Sequence, residues 1–164
     1  MTVDEKRTAI DSFEKGSDAF DDALNLPPVV LTFRPFPDAW TIHEQIVHCL
    51  EVDAANFHRY RRAIAQPETQ VLSFDSVWTS ALDYHEHNLG LTISLIKMLR
   101  QYMAAHLRKL VDRDWTKFAY IHSQYGRVDL EKAIEGYIDH VQFHRDLIDR
   151  NMRLWTEKKG TGSG

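Results

Sequence analysis

Residues 134–148 read IEGYIDHVQFHRDLI and give the clearest indication of the fold. Apolar side chains recur here at the three- and four-residue intervals of an α-helix with one buried face: Ile134, Tyr137, Val141, Leu147 and Ile148. His144 falls on that face, and His140 lies four residues before it, so both imidazoles project to the same side. The stretch predicts a core-facing helix that carries two histidines on one face.

Two capping boxes mark the starts of earlier helices. Thr2–Glu5 predicts a first helix, which Pro27–Pro28 ends. Its inward side chains at helical spacing are Ile10, Phe13, Phe20 and Leu24. Thr41–Glu44 predicts a second helix that ends before Pro67. The prolines of residues 29–40 predict an extended loop between the two helices.

Two further helices are predicted in the second half of the chain. One helical pattern covers about residues 76–111, and Gly90 is a candidate break that would leave a short helix followed by a long one. The last helix is expected to start near Asp129, a good N-cap, and to run to about Trp155. The segment between them, 113–127, is aromatic and irregular, and no segment alternates with the period of a strand. We therefore expect an all-α fold, a four-helix bundle with long connecting loops.

Length and composition are typical of one globular domain, with 164 residues and a formal net charge of −4. We expect that domain over residues 1–157 and a flexible tail over residues 158–164, whose GTGSG ending resembles an appended vector-derived sequence. The negative charge argues against nucleic-acid binding, which needs a basic face. No apolar run reaches the roughly 20 residues of a membrane span. The charged N-terminus is unlike a signal peptide, so a cytoplasmic location is expected.

A third histidine, His48, lies on the second predicted helix and could join His140 and His144 around one metal ion. Three protein ligands with one position left open is how catalytic metal sites are built. The spacing alone is weak evidence, because a chain with this many histidines contains about 0.4 pairs four residues apart by chance. Two histidines on one inward face are nevertheless costly to bury without a partner. From the residues alone, metal binding and a structural hydrogen-bonding role both stay open.

Two neighbours of His48 carry reactive groups. Cys49 is the only cysteine, which excludes an internal disulfide and a cysteine-based zinc site. It is expected to be a small apolar filler rather than a nucleophile. Glu44 lies one helical turn before His48 and is a candidate general base, but its place in a capping box favours a structural role.

The order of these motifs resembles the DinB/YfiT-like superfamily of small metal-binding helical bundles. Trp40–His48 reads W-T-x-x-E-x-x-x-H, and His140–His144 supplies the H-x-x-x-H of the family's last helix. Between them, Asp114–Trp115 and His122–Gly126 match the family's D-W and H-x-x-x-G motifs. Asp129 stands where the family often has Thr or Ser, and it serves equally well as an N-cap.

This resemblance implies a divalent metal, zinc or nickel, held by His48, His140 and His144, with a small-molecule substrate and a homodimeric assembly. Characterised relatives include transferases that add a low-molecular-weight thiol (bacillithiol, mycothiol or glutathione) to an electrophile, and thiol transfer is the leading expectation. A metal-dependent hydrolase and a non-catalytic, stress-associated dimer that binds metal or a small ligand are the alternatives. His122 could line the pocket mouth, although a structural hydrogen bond is the simpler expectation. No residue is assigned a catalytic role.

Overall fold

The computed structural model describes residues 1–73 and 77–161. The α-helices are α1 (Val3–Lys15), α2 (Pro28–Leu31), α3 (Ile42–Ala65), α4 (Trp78–Ala81), α5 (Leu89–Arg108) and α6 (Leu130–Thr161). The strands are β1 (Thr69–Val71), β2 (Ala119–His122) and β3 (Gly126–Asp129). Short 3-10 helices cover Gly16–Asn25, Tyr84–Glu86 and Trp115–Lys117.

The four long helices, α1, α3, α5 and α6, form a bundle in which α1 and α3 each pack against both α5 and α6. This arrangement places α1 and α3 at opposite corners, with α5 and α6 at the other two. The connections from α1 to α3 and from α5 to α6 therefore cross the bundle, which requires long segments. The expected four-helix bundle with long connections is confirmed, and α3 and α6, which carry the three histidines, are neighbours.

Apolar side chains from all four long helices fill the bundle in two clusters. The first is built around Ile10, Phe13, Met103, Leu107 and Ile134. The second is built around Phe20, Ile46, Ile93, Ile96 and Val141. The inward faces predicted from helical spacing are therefore largely the faces that the structure buries.

A buried ion pair ties three elements of the bundle together. Arg100 on α5 donates from Nε and Nη2 to the two carboxylate oxygens of Asp53 on α3, at 2.5 and 2.9 Å. Its Nη1 donates to the carbonyl oxygen of Phe13 at 2.9 Å. A Cβ atom added at Gly16 would lie 3.1 Å from the same Nη1. A residue without a side chain after α1 therefore makes room for the guanidinium.

The prediction of one continuous first helix is wrong, because α1 ends at Lys15 and the chain continues as a 3-10 helix over Gly16–Asn25. A 3-10 helix has three residues per turn, so its inward side chains recur at intervals of three. Ser17, Phe20 and Ala23 follow that spacing and are buried. Leu24, predicted inward from α-helical spacing, is 51% exposed. The loop expected over residues 29–40 also begins with the short helix α2.

The third predicted helix is divided as expected into a short and a long helix, but Gly90 is not the break. The chain leaves helical geometry between α4 and α5, where Asp83 adopts a left-handed conformation with φ 47°. Asn88 then caps α5 by accepting a hydrogen bond from the amide of Leu91 at 2.9 Å. Gly90 lies in the first turn of α5. The predicted start at residue 76 lies outside the described residues.

A small sheet occupies segments expected to be irregular, so the prediction of no strands is wrong. β1 pairs in parallel with β2, with Thr69 opposite Tyr120, and β2 pairs with β3 in an antiparallel hairpin. Gly126 begins β3 with a positive φ of 66°, a backbone conformation that glycine adopts without steric cost. Strands of three or four residues are too short to show a period of two in the sequence. The sheet packs on α3 through β2.

The last helix begins as predicted after Asp129, whose side chain accepts a hydrogen bond from the amide of Lys132 at 3.0 Å. It continues to Thr161, beyond the expected end at Trp155 and into the expected tail. Residues 162–164 of that tail lie outside the described residues. Among the helices that the structure describes, none is both long enough and apolar enough to cross a membrane.

Candidate metal centre

The three predicted ligands meet between α3 and α6. His48 lies on α3, and His140 and His144 lie one helical turn apart on α6. The Nε2 atom of His140 is 3.3 Å from Nε2 of His48 and 3.1 Å from Nε2 of His144. No other trio of His, Cys, Asp or Glu side chains in residues 1–73 and 77–161 brings its ligand atoms this close together.

The spacing of the nitrogens fits a single metal ion. Metal–nitrogen bonds of about 2.0–2.1 Å at tetrahedral angles place two ligand nitrogens roughly 3.3–3.4 Å apart. The observed separations of 3.3 and 3.1 Å from His140 to His48 and His144 are close to that value. At most one proton can lie between two facing Nε2 atoms. When the imidazoles are neutral, nitrogen lone pairs therefore point into this space. The donor set and its geometry therefore suit a divalent cation.

Burial keeps these imidazoles neutral. His48 is 9% exposed and His144 is 4% exposed. Loss of solvation lowers the pKa of His48 to about 4. Burial, with smaller contributions from His48 and Arg100, lowers the pKa of His140 to about 4. Burial, reinforced by the two neighbouring imidazoles, lowers the pKa of His144 to about 3. All three residues therefore present free electron pairs at neutral pH, as metal binding requires.

A buried glutamine orients one of the three rings. Gln45 lies on α3, three residues before His48, and is almost completely buried. Its Oε1 accepts a hydrogen bond from Nδ1 of His144. A proton on Nδ1 leaves the lone pair of His144 on Nε2, directed at the other two histidines. Sequence reasoning missed Gln45, although its place one helical turn before His48 on an inward face was a usable signal.

Trp40 covers the cluster at the start of α3. Its ring lies 4.7 Å from the ring of His48 between centroids, and it stacks on His144 at 6.2 Å with an interplanar angle of 11°. Asn151, buried on α6, donates to the carbonyl oxygen of Trp40 at 2.8 Å and so holds this segment in place. The tryptophan of the family motif therefore packs against two of the three imidazoles.

Glu44 and Cys49 take the structural roles that the sequence favoured. One carboxylate oxygen of Glu44 accepts from the backbone amide of Thr41 at 2.8 Å, and the other pairs with Arg34 at 2.7 Å. Both oxygens are thereby engaged away from the histidines. Cys49 is a buried free thiol, and burial raises its pKa, so it carries no nucleophilic thiolate at neutral pH.

His122 lies on β2 and is buried. Its Nδ1 accepts a hydrogen bond from the amide of Gln124 at 3.1 Å, and its ring stacks on Tyr125 at 4.7 Å. Burial lowers its pKa, so the ring is neutral with its proton on Nε2. His122 also lines a cavity that reaches His140. The structural hydrogen bond and the position at a pocket are both present, so the two expectations do not exclude each other.

Two cavities meet at His140. The first, of about 480 Å³, opens beside all three histidines and is also lined by Asp38, Ala39, Trp40, Gln45, Phe143, Leu147 and Arg150. The second, of about 420 Å³, lies between α3, α6 and the sheet. His140 lines both of them. We call them the histidine cavity and the sheet cavity.

Comparison with known proteins agrees with this arrangement. A profile of the DinB superfamily matches residues 12–148, which contain all three histidines. The chain belongs to the DinB superfamily. The family resemblance found in the sequence is thereby confirmed, whereas no curated protein matches the sequence.

A solved structure shares the fold. YfiT from Bacillus subtilis, described as a probable metal-dependent hydrolase with an unusual four-helix bundle topology, superposes with a TM-score of 0.83. The two sequences are 20% identical, and the match covers 93% of this chain and 89% of YfiT. At that identity the likeness establishes a common fold across nearly the whole chain.

Proposed function

We propose that this DinB-superfamily protein is a divalent-metal-dependent hydrolase of small molecules, with His48, His140 and His144 as the metal ligands. The observation that carries the proposal is the convergence of three neutral imidazole nitrogens, 3.1 and 3.3 Å apart, at the edge of an open cavity. The description of YfiT as a probable metal-dependent hydrolase supports the choice of reaction. Zinc and nickel are the expected ions because the family resemblance implies them, and both accept imidazole ligands.

The chain's own residues prepare the site for such an ion. Burial keeps the ligand nitrogens unprotonated, and Gln45 fixes the ring of His144. Phe143 and Leu147 add apolar surface to the histidine cavity beside the cluster. When bound, a divalent cation acts as a Lewis acid and lowers the pKa of a coordinated water or thiol towards neutrality. Because this activation needs no separate base, the engagement of Glu44 elsewhere is compatible with hydrolysis.

Metal content tests the ligand set. Purified protein, free of affinity tags and reconstituted with zinc or nickel, is compared with His48→Ala and His140→Ala by plasma mass spectrometry. We expect near-stoichiometric metal in the wild type and its loss in both variants. His106→Ala, which removes a histidine outside the cluster, is the matched control and should keep the metal. An empty wild type, or variants that retain the metal, would overturn the assignment.

Thiol transfer to an electrophile is the second candidate function. It is favoured by the chemistry of the donor set, since three neutral imidazoles leave a divalent ion its full charge, which deprotonates a coordinating thiol. The buried Cys49 offers no internal thiol, so a low-molecular-weight thiol such as bacillithiol, mycothiol or glutathione would be the nucleophile. The presence of a second cavity next to His140 leaves room for two reactants.

Two assays on the metal-loaded protein separate the candidates. Turnover of small esters or amides without added thiol supports hydrolysis. Conjugation of an electrophile such as a chlorinated nitrobenzene only when thiol is added supports transfer. In either assay His140→Ala must abolish the activity. Metal binding without either reaction would favour the remaining alternative, a non-catalytic metal- or ligand-binding dimer.

A homodimer belongs to the same proposal. Four exposed apolar side chains follow one another along α5 at intervals of four, three and four residues: Leu91, Leu95, Met98 and Tyr102. That spacing places them in one stripe on the outer face of the helix, as in the seam of a helix pair. A contiguous exposed apolar stripe is typical of an interaction surface. A second copy of the chain is the proposed partner, and the cytoplasm is the proposed location.

A further inference from the structure

The sheet cavity is lined by positive and hydrogen-bond-donating groups. Its walls come from α3, from β2 and β3, and from α6, and they include Arg59, His122, Lys132 and Tyr137. Among residues 1–73 and 77–161, no aspartate or glutamate lines this cavity, although acidic residues outnumber basic ones in the chain, 24 to 20. A cavity with two cations and no carboxylate favours a ligand that carries negative charge.

The positive charge of the Arg59 guanidinium is available to a ligand. It donates from Nη1 to Asn56 at 3.1 Å and from Nη2 to the carbonyl oxygen of Leu72 at 2.7 Å. Both partners are uncharged, and Arg59 takes part in no ion pair within the described ranges. The two bonds hold the guanidinium at the cavity wall, and no carboxylate within residues 1–73 and 77–161 pairs with its positive charge. This arrangement suits a carboxylate or phosphate, which a guanidinium binds through charge-assisted hydrogen bonds.

Tyr137 supplies a second, independent indication of a ligand. Its side chain is 6% exposed, and its hydroxyl, which lies near the hydroxyl of Tyr120, makes no hydrogen bond of good geometry within the part of the chain that the structure describes. A buried hydroxyl without a partner costs free energy, so such groups commonly mark a place where a ligand or water binds. His122 adds a donor, because Gln124 occupies its Nδ1 and leaves the Nε2 proton for another acceptor.

We infer that the sheet cavity binds the anionic end of a small-molecule substrate, a carboxylate or a phosphate, through Arg59 and Lys132, with Tyr137 and His122 as hydrogen-bond donors. His140 lines this cavity and the histidine cavity, so the other end of the molecule lies towards the metal centre. Binding of the anion is independent of the proposed function; its assignment to the substrate rests on that proposal.

Binding is measured first without metal, by titrating ¹⁵N-labelled protein with succinate, inorganic phosphate and the neutral analogue succinamide. We expect saturable amide shifts in β2 and β3 with an anion and none with succinamide. A preference for succinate identifies a carboxylate and a preference for phosphate identifies a phosphoryl group. Shifts that do not saturate, or equal shifts with succinamide, would overturn the inference.

Charge variants test whether the named side chains hold the anion. Arg59→Gln and Lys132→Gln should each weaken binding about tenfold or more, as expected for the loss of a charge-assisted contact. Arg61→Gln is the matched control, since it removes the same charge from the same helix but lies at a different cavity. Equal weakening by Arg61→Gln would indicate a diffuse effect of net charge and would count against the site.

A steric variant tests the location of the site independently if Arg59→Gln perturbs the fold. Gly136 lies on α6 at the cavity wall, and a Cβ atom added there meets no other atom within 4 Å. Gly136→Leu should therefore fold normally, occupy part of the cavity and weaken anion binding. Retained affinity in a folded Gly136→Leu protein would refute the location.

Two further measurements distinguish failure of this inference from failure of the proposed function. His48→Ala should lose metal yet still bind the anion. In the metal-loaded wild type, Arg59→Gln should raise KM for a carboxylate-bearing ester and leave KM for a neutral ester unchanged. Anion binding without any metal uptake would support the anion site and refute the proposed enzyme. An unchanged KM for the carboxylate-bearing ester would show that the anion site does not bind the substrate.

Discussion

Gln45 and His144 are joined by a buried hydrogen bond between the side-chain oxygen of Gln45 and Nδ1 of His144. The bond crosses from α3 to α6, the two helices that supply all three histidines. It fixes both the rotation of the His144 ring and the nitrogen that bears its proton. The Nε2 electron pair is thereby directed at the cluster before any ion binds.

Gln45→Ala should consequently weaken metal binding without removing a ligand. Loss of a partner that orients a ligating histidine typically costs 10- to 100-fold in metal affinity, so we expect a decrease of about that size. Competition with a chromophoric chelator measures it. Gln142→Ala is the matched control, because the Gln142 side chain is exposed and donates to Asp146, away from the histidines. Unchanged affinity in Gln45→Ala would show that packing alone orients His144.

The metal-free protein should lose stability as the pH falls below the ordinary pKa of histidine. In the folded state burial lowers the pKa of His48 and His140 to about 4 and of His144 to about 3, whereas unfolded histidine titrates near 6.5. Between these values the unfolded chain binds more protons, so stability is full above about pH 6.5 and declines towards about pH 4. The free energy of unfolding in urea should fall by at least ~2 kcal/mol between about pH 7 and about pH 5.

A triple variant isolates the contribution of the cluster to this pH dependence. Replacing His48, His140 and His144 by asparagine should reduce the slope but leave a residual part. The residual part is expected because burial also lowers the pKa of His43 and His122. An unchanged slope in the triple variant would mean that the cluster is not neutral in the folded protein.

Helical spacing predicted the bundle and the inward faces that carry the three histidines, because both depend on long periodic segments. Thr41 and Asp129 marked the starts of α3 and α6 through local hydrogen bonds that involve only neighbouring residues. Once those two starts were known, the faces that carry His48 and His140 followed from helical geometry. These features are encoded within single helices, which is why the sequence alone revealed them.

Features that depend on contacts between distant segments could not be predicted. The 3-10 geometry after α1 accompanies the approach of Arg100 to Gly16 from another helix. The pairing of β1 with β2 joins Thr69 to Tyr120 across the chain, through strands too short to show a pattern. The bond from Gln45 to His144 likewise spans two helices. Each depends on tertiary packing, which no local spacing reports.

The buried pair of Asp53 and Arg100 should be essential for stability. Asp53→Ala leaves a fully buried guanidinium without its counter-ion, and such losses cost about 3–5 kcal/mol. Urea denaturation of metal-free protein at neutral pH measures the change. Arg108→Ala, which breaks an exposed pair with Asp11 and Glu14, should cost no more than about 1 kcal/mol. A small effect of Asp53→Ala would show that water or the Phe13 carbonyl compensates the charge.

A charge in the exposed stripe on α5 should prevent self-association. Leu95→Glu places a carboxylate in the middle of Leu91, Met98 and Tyr102, where burial against a second copy would remove its solvation. We expect a dimer for the wild type and a monomer for Leu95→Glu by light scattering after gel filtration, with unchanged helical circular dichroism. Leu72→Glu adds the same charge at a more exposed apolar residue outside the stripe and should stay dimeric. A monomeric wild type would refute the homodimer. A Leu95→Glu protein that stays dimeric would place the interface elsewhere, because a carboxylate buried at the centre of this apolar stripe would be costly to desolvate.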